Sequence, residues 1–330
     1  MLGYGTGMKL LGFQIPNYTF PGVTDDKLFD HVAMLANTAE QAGFDSVFVM
    51  DHFYQLPNIG PRTDPMLEAY TVLAGIAART KKVRLGTLVT GVTYRNPAFL
   101  AKVVTTLDNV SSGRAILGIG AAWNDDEHRG YGYEFPPVGE RLSRLEEALQ
   151  ICRAMFREEA PKLEGRYYRI EGALNSPRPI QPNGPPIMIG GGGEERTLKL
   201  VAQYADMCNI FGDPATIRHK MDVLEKHCER VGRDPSTIVK TRLGSMIVRK
   251  TDAEADRLFE QVLNRPGINR DWARAGFIVG GPDRVAEQAQ KLLDAGLDGL
   301  IFNMPHMEDP EAIALAGQTL AGLRQPAVAR

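Results

Sequence analysis

Val83-Arg84-Leu85-Gly86-Thr87-Leu88-Val89-Thr90-Gly91-Val92-Thr93-Tyr94-Arg95-Asn96-Pro97 is the stretch on which the fold turns. An apolar strand runs from Val83 to Val89 and meets a Thr-Gly-Val-Thr turn. A Tyr-Arg-Asn-Pro segment then opens a helix. A buried strand that delivers small polar residues and a glycine to its C-terminal end is how a β/α barrel builds a cofactor site. A strand, a tight turn and a helix start would have the same shape, so the rest of the chain decides.

Short β-rich runs alternate with helical patterns on both sides of this segment. Strands are expected at 9–15, 46–50, 83–89, 115–119, 186–189, 207–210, 238–248 and 299–302. Between them, helices are expected at 25–42, 66–80, 97–110, 139–156, 194–204, 214–231 and 282–295, with a last helix at 310–323. The first helix carries Leu28, Val32, Leu35, Ala36 and Ala39 on one face, with Thr24 as a cap. Eight strands alternating with helices pair in parallel, and eight is the number that closes a (β/α)8 TIM barrel. An open doubly wound sheet would alternate in the same way. A repeated unit supports the barrel: Ala42-Gly43-Phe44-Asp45 and Ala295-Gly296-Leu297-Asp298 each end a helix and lead into an apolar strand. Two connections exceed ordinary loop lengths of about 4–6 residues. They are insertions after strand 4 (121–185, with an extended or hairpin segment at 163–181) and after strand 7 (249–297, with an extra helix at 252–263). Insertions on the C-terminal face commonly become pocket walls and lids.

With 330 residues, 43% of them hydrophobic, the chain can form one barrel domain spanning 1–330. A net charge of -2 and the lack of a basic cluster with interleaved aromatics exclude a nucleic-acid partner. No run approaches the roughly 18 apolar residues of a membrane span. The first seven residues lack the pattern of a secretory signal, and Met8 stands as an alternative start. Cys152, Cys208 and Cys228 show neither disulfide-framework nor zinc-site spacing, so a cytoplasmic protein is expected.

On a barrel, the strand ends are the candidate site. Strand 2 ends in Asp51-His52-Phe53-Tyr54, strand 3 in Thr90-Gly91-Val92-Thr93, and strand 4 in Gly118-Ile119-Gly120 followed by Ala121, Trp123 and Asn124. Strand 5 ends in Gly190, Gly191, Gly192 and Gly193, which run straight into a helix. Bare backbone can approach a phosphate closely, and a helix N-terminus offers free N–H groups and partial positive charge. Arg196 and Thr197 are placed to assist, while Glu194 and Glu195 must point away. His52 is the side chain most easily tuned near neutral pH; the alternative is an Asp51-His52 pair that only fixes a loop. No HxH, HExxH or carboxylate cluster supports a metal, and no G-x-S-x-G motif supports a serine nucleophile. His128 and His306 are weaker site candidates, and His31, His219 and His227 are expected at the surface of helices.

Taken in order, these motifs resemble the bacterial luciferase-like superfamily, and more closely its branch that uses the deazaflavin coenzyme F420. The resemblance runs from about Lys9 to Leu323. It rests on Ala42–Ser46 with Asp51-His52, on Leu85–Thr87 with Thr90–Pro97, on Leu107–Arg114, on Leu117–Gly120 with Trp123-Asn124, and on Pro186–Ile189 with the glycines after it. It implies an oxidoreductase transferring a hydride between F420 and a small organic substrate, with the ring at the barrel mouth. The Gly91–Val92 bond matches the family's non-prolyl cis peptide, a bulge that backs the ring. The resemblance also implies that Thr90, Val92, Thr93, Asp51 and Asn124 contact the cofactor, that His52 stands at the hydride centre, and that the glycines from Gly190 to Gly193 hold the phosphate. A homodimer is implied as well. The sugar-phosphate dehydrogenases of this branch have a Glu after the strand-4 glycine and a Trp four residues after the histidine. Here Ala121 and Leu56 stand there, which argues against glucose 6-phosphate as substrate. Two other readings remain open: an FMN-dependent monooxygenase using FMNH2 and oxygen, and a cofactor-binding protein without turnover.

Overall fold

A computed structural model describes residues 9–324, so the reading of Met8 as a start lies outside the described residues. Its first strand, β1 (Leu10–Ile15), pairs in parallel with β2 (Ser46–Val49) and also with the last strand, β12 (Gly299–Asn303). Between β2 and β12 the ring continues through β3 (Arg84–Thr87), β5 (Ala115–Gly120), β8 (Ile187–Gly190), β9 (Met207–Ile210) and β10 (Val239–Val248). β10 pairs with both β9 and β12, so the eight-stranded parallel barrel closes. β4 (Thr90–Gly91) is a short continuation of β3 beside β5.

The helices α1 (Leu28–Gln41), α2 (Ala69–Arg79), α3 (Pro97–Val110), α5 (Val138–Arg157), α6 (Thr197–Tyr204), α7 (Pro214–Val231), α10 (Pro282–Leu293) and α11 (Pro310–Ala321) fill the connections between barrel strands. α3 starts where the sequence places it: Pro97 occupies the first turn and Asn96 Oδ1 accepts the Ala98 N–H at 2.9 Å. The expected first helix opens as a 3-10 turn over Asp25–Lys27, and the Thr24 hydroxyl donates to Asp26 rather than capping.

Strand alternation divides the apolar residues between two layers. Leu10, Phe48, Ile116, Met188, Met207 and Ile301 fill the barrel interior. Phe13, Val47, Leu117, Ile189 and Phe302 point outward into the helix layer. The repeated Gly-x-Asp unit ties neighbouring strands together where they start. Asp45 accepts the Leu11 N–H at 2.8 Å, and Asp298 accepts the Lys240 N–H at 2.9 Å. Asp206 does the same for Ile187 at 2.9 Å. Each carboxylate thus bonds a backbone donor of the adjacent strand.

The insertion after β5 contains α4 (Asp125–Tyr131), α5 and a hairpin of β6 (Lys162–Glu164) and β7 (Arg169–Glu171). The insertion after β10 contains α8 (Asp252–Leu263), α9 (Arg270–Gly276) and β11 (Phe277–Gly280). β9 pairs with the first part of β10, up to Arg242, and β11 pairs with the last part, from Ser245 to Val248. One ten-residue strand therefore changes neighbours midway. Among the described residues no helix is long and apolar enough to cross a membrane.

Candidate active site at the barrel mouth

β3 stops at Thr87, and β4 resumes the ladder at Thr90, paired with Ile119. The break between them holds a cis peptide at Leu88–Val89, so the expected cis bond at Gly91–Val92 is corrected by three residues. The reason lies in the ladder: Gly91 pairs in register with Gly120, and the Val92 N–H donates to the Gly120 carbonyl at 2.9 Å. Gly91 is thus regular strand, while Val92 already belongs to a turn, keeps that one bond to Gly120 and is buried in the helix layer. The projecting residue is Val89, half-buried in a space cleared by glycines. A Cβ on Gly120 or Gly190 would lie 2.9 or 2.8 Å from Val89 Cγ2, and one on Gly118 would collide with the Thr87 carbonyl oxygen. Gln14 Nε2 donates to the Leu88 carbonyl at 3.4 Å and ties the bulge to β1.

Below the bulge lies a buried polar knot. Asp51, 2% exposed, accepts two bonds from Arg95, at 2.6 and 3.1 Å. Arg95 also donates to Glu68 at 2.6 Å, and its guanidinium lies 4.8 Å from the centre of the Tyr70 ring. Burial pushes the Asp51 carboxyl up; Arg95 works against that rise, in the two-pronged geometry of an ionised pair. Thr90 is fully buried, sharing hydrogen bonds with Tyr70 at 2.7 Å and Thr87 at 3.0 Å. Asp51 and Thr90 thus direct their polar atoms into the wall. Arg95 sat in plain view in the opening stretch, but its role depends on a partner 44 residues away.

His52 lies above this knot. Its Nδ1 is 2.8 Å from Glu127 Oε2, and its ring meets Trp123 edge-on at 5.5 Å. Glu127 is fully buried and accepts from the Phe53 N–H, the Tyr54 N–H at 3.0 Å and the Tyr94 hydroxyl at 2.8 Å. Burial alone would push its carboxyl up. The bond and charge of His52, with the Tyr54 and Tyr94 bonds, outweigh this and hold it below the ordinary value. Glu127 is therefore ionised and acceptor-only, which makes His52 Nδ1 the donor and leaves Nε2 directed elsewhere. Among the described residues Nε2 has no hydrogen-bond partner.

Glu127 and its neighbour His128 are the two buried residues of α4, a helix that the sequence pattern did not predict. His128 Nδ1 faces the Asn124 carbonyl at 2.7 Å, and its Nε2 faces the Thr93 hydroxyl at 2.7 Å. The carbonyl can only accept, so Nδ1 carries a hydrogen, and the Thr93 hydroxyl shares a hydrogen bond with Nε2. Thr93 and Asn124 therefore meet each other through His128. His227 corrects another expectation: it is buried, 2.8 Å from the Glu194 carbonyl, while His219 is exposed. His31 is half-buried against Phe20.

The glycine run follows β8. Gly191 adopts φ +121° and donates to the Asn209 carbonyl at 3.0 Å, a conformation open to glycine. α6 begins later than expected, at Thr197, with the Leu198 N–H bonded to the Gly193 carbonyl. Glu194 is drawn to Lys220 at 2.5 Å and His219 at 3.1 Å. Arg196 donates to the Gly139 carbonyl and to Ser143 on α5, away from the run. The nearest cation is instead Lys220, whose Cε lies 3.8 Å from where a Gly192 Cβ would sit.

A second concavity opens where β10 changes neighbours. It encloses about 550 Å³ of empty space, including some open to solvent, between Phe211, Arg242, Leu243 and Trp272. Ser245 and Asn303 form its inner end, joined at 2.6 Å. Asn303 is also 3.4 Å from Gln14, the residue bonded to the Leu88 carbonyl. A chain of side-chain contacts thus runs from this cavity to the Val89 bulge.

Known proteins share this architecture. The chain is 30% identical over 298 residues, 81% of its length and 86% of the relative's, to an F420-dependent glucose-6-phosphate dehydrogenase of Amycolatopsis mediterranei. An F420-dependent secondary alcohol dehydrogenase, solved with an F420–acetone adduct, superposes with a TM-score of 0.80 at 20% identity, covering 96% of this chain and 100% of that one. The oxygenating constituent of 3,6-diketocamphane monooxygenase from Pseudomonas putida, solved with FMN, superposes with a TM-score of 0.76 at 20% identity, covering 98% and 99%. The family model described as luciferase-like monooxygenase matches residues 11–314, and the chain belongs to that family.

Proposed function

We propose that this protein is an oxidoreductase that transfers a hydride between coenzyme F420 and a small organic substrate at the barrel mouth. The observation that carries the reading is His52 at the end of β2, held through Nδ1 by a buried, ionised Glu127, with Nε2 left for a reacting group. The F420-dependent relatives support the choice of cofactor.

The residues fit such a group. The half-buried Val89 bulge, backed by Gly118, Gly120 and Gly190, offers a small apolar support for a planar ring. The side-chain-free run from Gly190 to Gly193, with Lys220 beside it, suits a phosphate. When bound, a deazaflavin supplies a ring carbon that exchanges hydrides and reacts poorly with oxygen. The chain's part is orientation and proton handling. His52 Nε2 holds the proton that the substrate gains or loses, and Glu127 fixes the ring of His52 in one tautomer and orientation. Trp123 meets the His52 ring edge-on, and Phe53 packs on Tyr94, the tyrosine bonded to Glu127.

Thr93 and Asn124 then shape the mouth through His128, while Asp51, Thr90, Gly91 and Val92 act from behind the surface. With Ala121 and Leu56 where the sugar-phosphate enzymes have Glu and Trp, Glu127 is the carboxylate available to the histidine, and the two departures argue against glucose 6-phosphate as substrate.

The FMN-bound structural neighbour supports a second reading, a monooxygenase using FMNH2 and oxygen. Fluorescence titration of the purified protein with oxidised F420 and with FMN separates the two. Tighter binding of F420 is expected; much tighter FMN binding overturns the first reading. With His52→Ala, F420 affinity is retained and the hydride step is lost. An unchanged rate in stopped-flow absorbance removes His52 from the mechanism.

A further inference from the structure

Arg242 is a buried cation without a counter-ion. It lies on β10, is 3% exposed, and lines the cavity beside the mouth. Its Nε donates to the Gly212 carbonyl at 2.9 Å and its Nη2 to the Gly276 carbonyl at 2.9 Å. Its Nη1 has no partner among the described residues. Nor does any carboxylate among them lie within ion-pair distance. The nearest acid on the lining, Asp213, accepts the Thr216 N–H at 2.8 Å as the cap of α7. Burial without a compensating charge lowers the guanidinium from its ordinary value to about 10. A buried charge normally has a partner, and an unpaired one carries a large desolvation cost.

The surroundings narrow the missing partner. Phe211, Leu243 and Trp272 make the cavity largely apolar, and the lining holds no second cation. Two of the guanidinium's three nitrogens are committed to carbonyls. Nη1, with the remaining hydrogen on Nη2, forms one two-pronged edge. That edge matches a carboxylate, which takes two parallel N–H bonds; a phosphate dianion would call for more donors. Gly244 makes room for this edge, since a Cβ there would collide with Nη1.

We infer that Arg242 is the specificity residue of a substrate subsite that takes an apolar molecule carrying one carboxylate. The inference rests on the mouth being the reaction site, because the Ser245–Asn303–Gln14 chain leads from this cavity to the Val89 bulge. Nη1 is sealed from bulk water, so the carboxylate parts the lining from the cavity side as it binds.

The test reads equilibrium binding with no cofactor present, so its failure leaves the F420 reading standing. The chain has two tryptophans, and in a Trp123→Phe background the fluorescence of Trp272 reports on the cavity alone. Hexanoate should bind at least about tenfold more tightly than hexanamide, the ratio expected when one charge-assisted pair is gained. Arg242→Gln should bring the two affinities together, and Arg242→Lys should restore part of the difference. Where Arg242→Gln fails to fold, Gly244→Ala keeps the charge but displaces Nη1, and it should abolish the preference. Equal affinities in the Arg242 protein, or a hexanoate preference that survives both Arg242→Gln and Gly244→Ala, overturn the subsite. Tighter binding of hexyl phosphate than of hexanoate overturns the assignment of a carboxylate.

Discussion

Glu127 Oε2 stands 2.8 Å from His52 Nδ1, and the other three bonds to that carboxylate come from the Phe53 and Tyr54 backbone and the Tyr94 hydroxyl. All four partners are donors. Replacing Glu127 with Gln keeps the shape but puts an amide N–H₂ where one oxygen accepted two bonds, donor facing donor. His52 then loses its fixed orientation. By analogy with other orienting partners of histidines, Glu127→Gln should slow turnover by about ten- to a hundredfold, with cofactor affinity within about threefold. Steady-state kinetics beside a fluorescence titration would show it; equal losses in both would make Glu127 merely structural.

The same substitution makes a pH prediction. The folded state holds the Glu127 carboxyl below its ordinary value. A group lowered by folding stabilises the protein fully above its unfolded pKa, about 4.3 for Glu, and this contribution is lost as pH falls through the folded value. Melting temperatures of the native protein and Glu127→Gln should therefore differ most near neutrality and converge below about pH 4. Parallel curves would remove the linkage.

The glycines around Val89 should separate into two kinds. A Cβ at Gly190 meets only the Val89 side chain, at 2.8 Å, whereas one at Gly118 meets the Thr87 backbone oxygen. Gly118→Ala should therefore destabilise by about 1–3 kcal/mol, the usual range for overpacking. Gly190→Ala should cost less stability but weaken F420 binding by shifting the bulge. Thermal melts and cofactor titration on both variants check the division, and a reversed order would place Val89 away from the cofactor.

Asp51 and Arg95 should behave as a buried pair. Asp51→Asn leaves Arg95 with the half-exposed Glu68, and breaking such a pair typically costs about 3–5 kcal/mol. A double-mutant cycle with Arg95→Met should recover much of that loss in urea unfolding. Additive losses would mean that the two residues act separately.

The alternation of strands and helices was readable in the chain because each barrel strand is an apolar run beside a helix, and several helix starts carry a cap, as at Asp213-Pro214 for α7. The site was only partly readable. His52, the glycine run and the bulge region stand at strand ends, where position alone signals function. Glu127 was hidden because α4, Asp-Asp-Glu-His-Arg-Gly-Tyr, has almost no apolar periodicity; its buried face consists of polar residues satisfied by distant partners. The cis bond was displaced because all of Thr-Gly-Val-Thr looks like a turn, yet Thr90-Gly91 pairs with β5 and only Val92-Thr93 turns. Arg242 did leave a signal, as a charged residue inside the strand expected at 238–248.

The change of neighbours along β10 separates two requirements that a barrel enzyme usually has to satisfy with the same residues. Closure of the ring depends on the part of β10 held by β9, up to Arg242, and on the ladder to β12. The cavity borrows Arg242 to Ser245 from the middle of β10, and its outer wall, Trp272, Ala275 and Gly276, comes from α9 in the segment that follows. The segment 249–281 can thus lengthen, shorten or be exchanged without touching a hydrogen bond that closes the cylinder. One wall of the cavity can vary through a replaceable cassette, while Arg242 and the stability of the barrel stay with the cylinder.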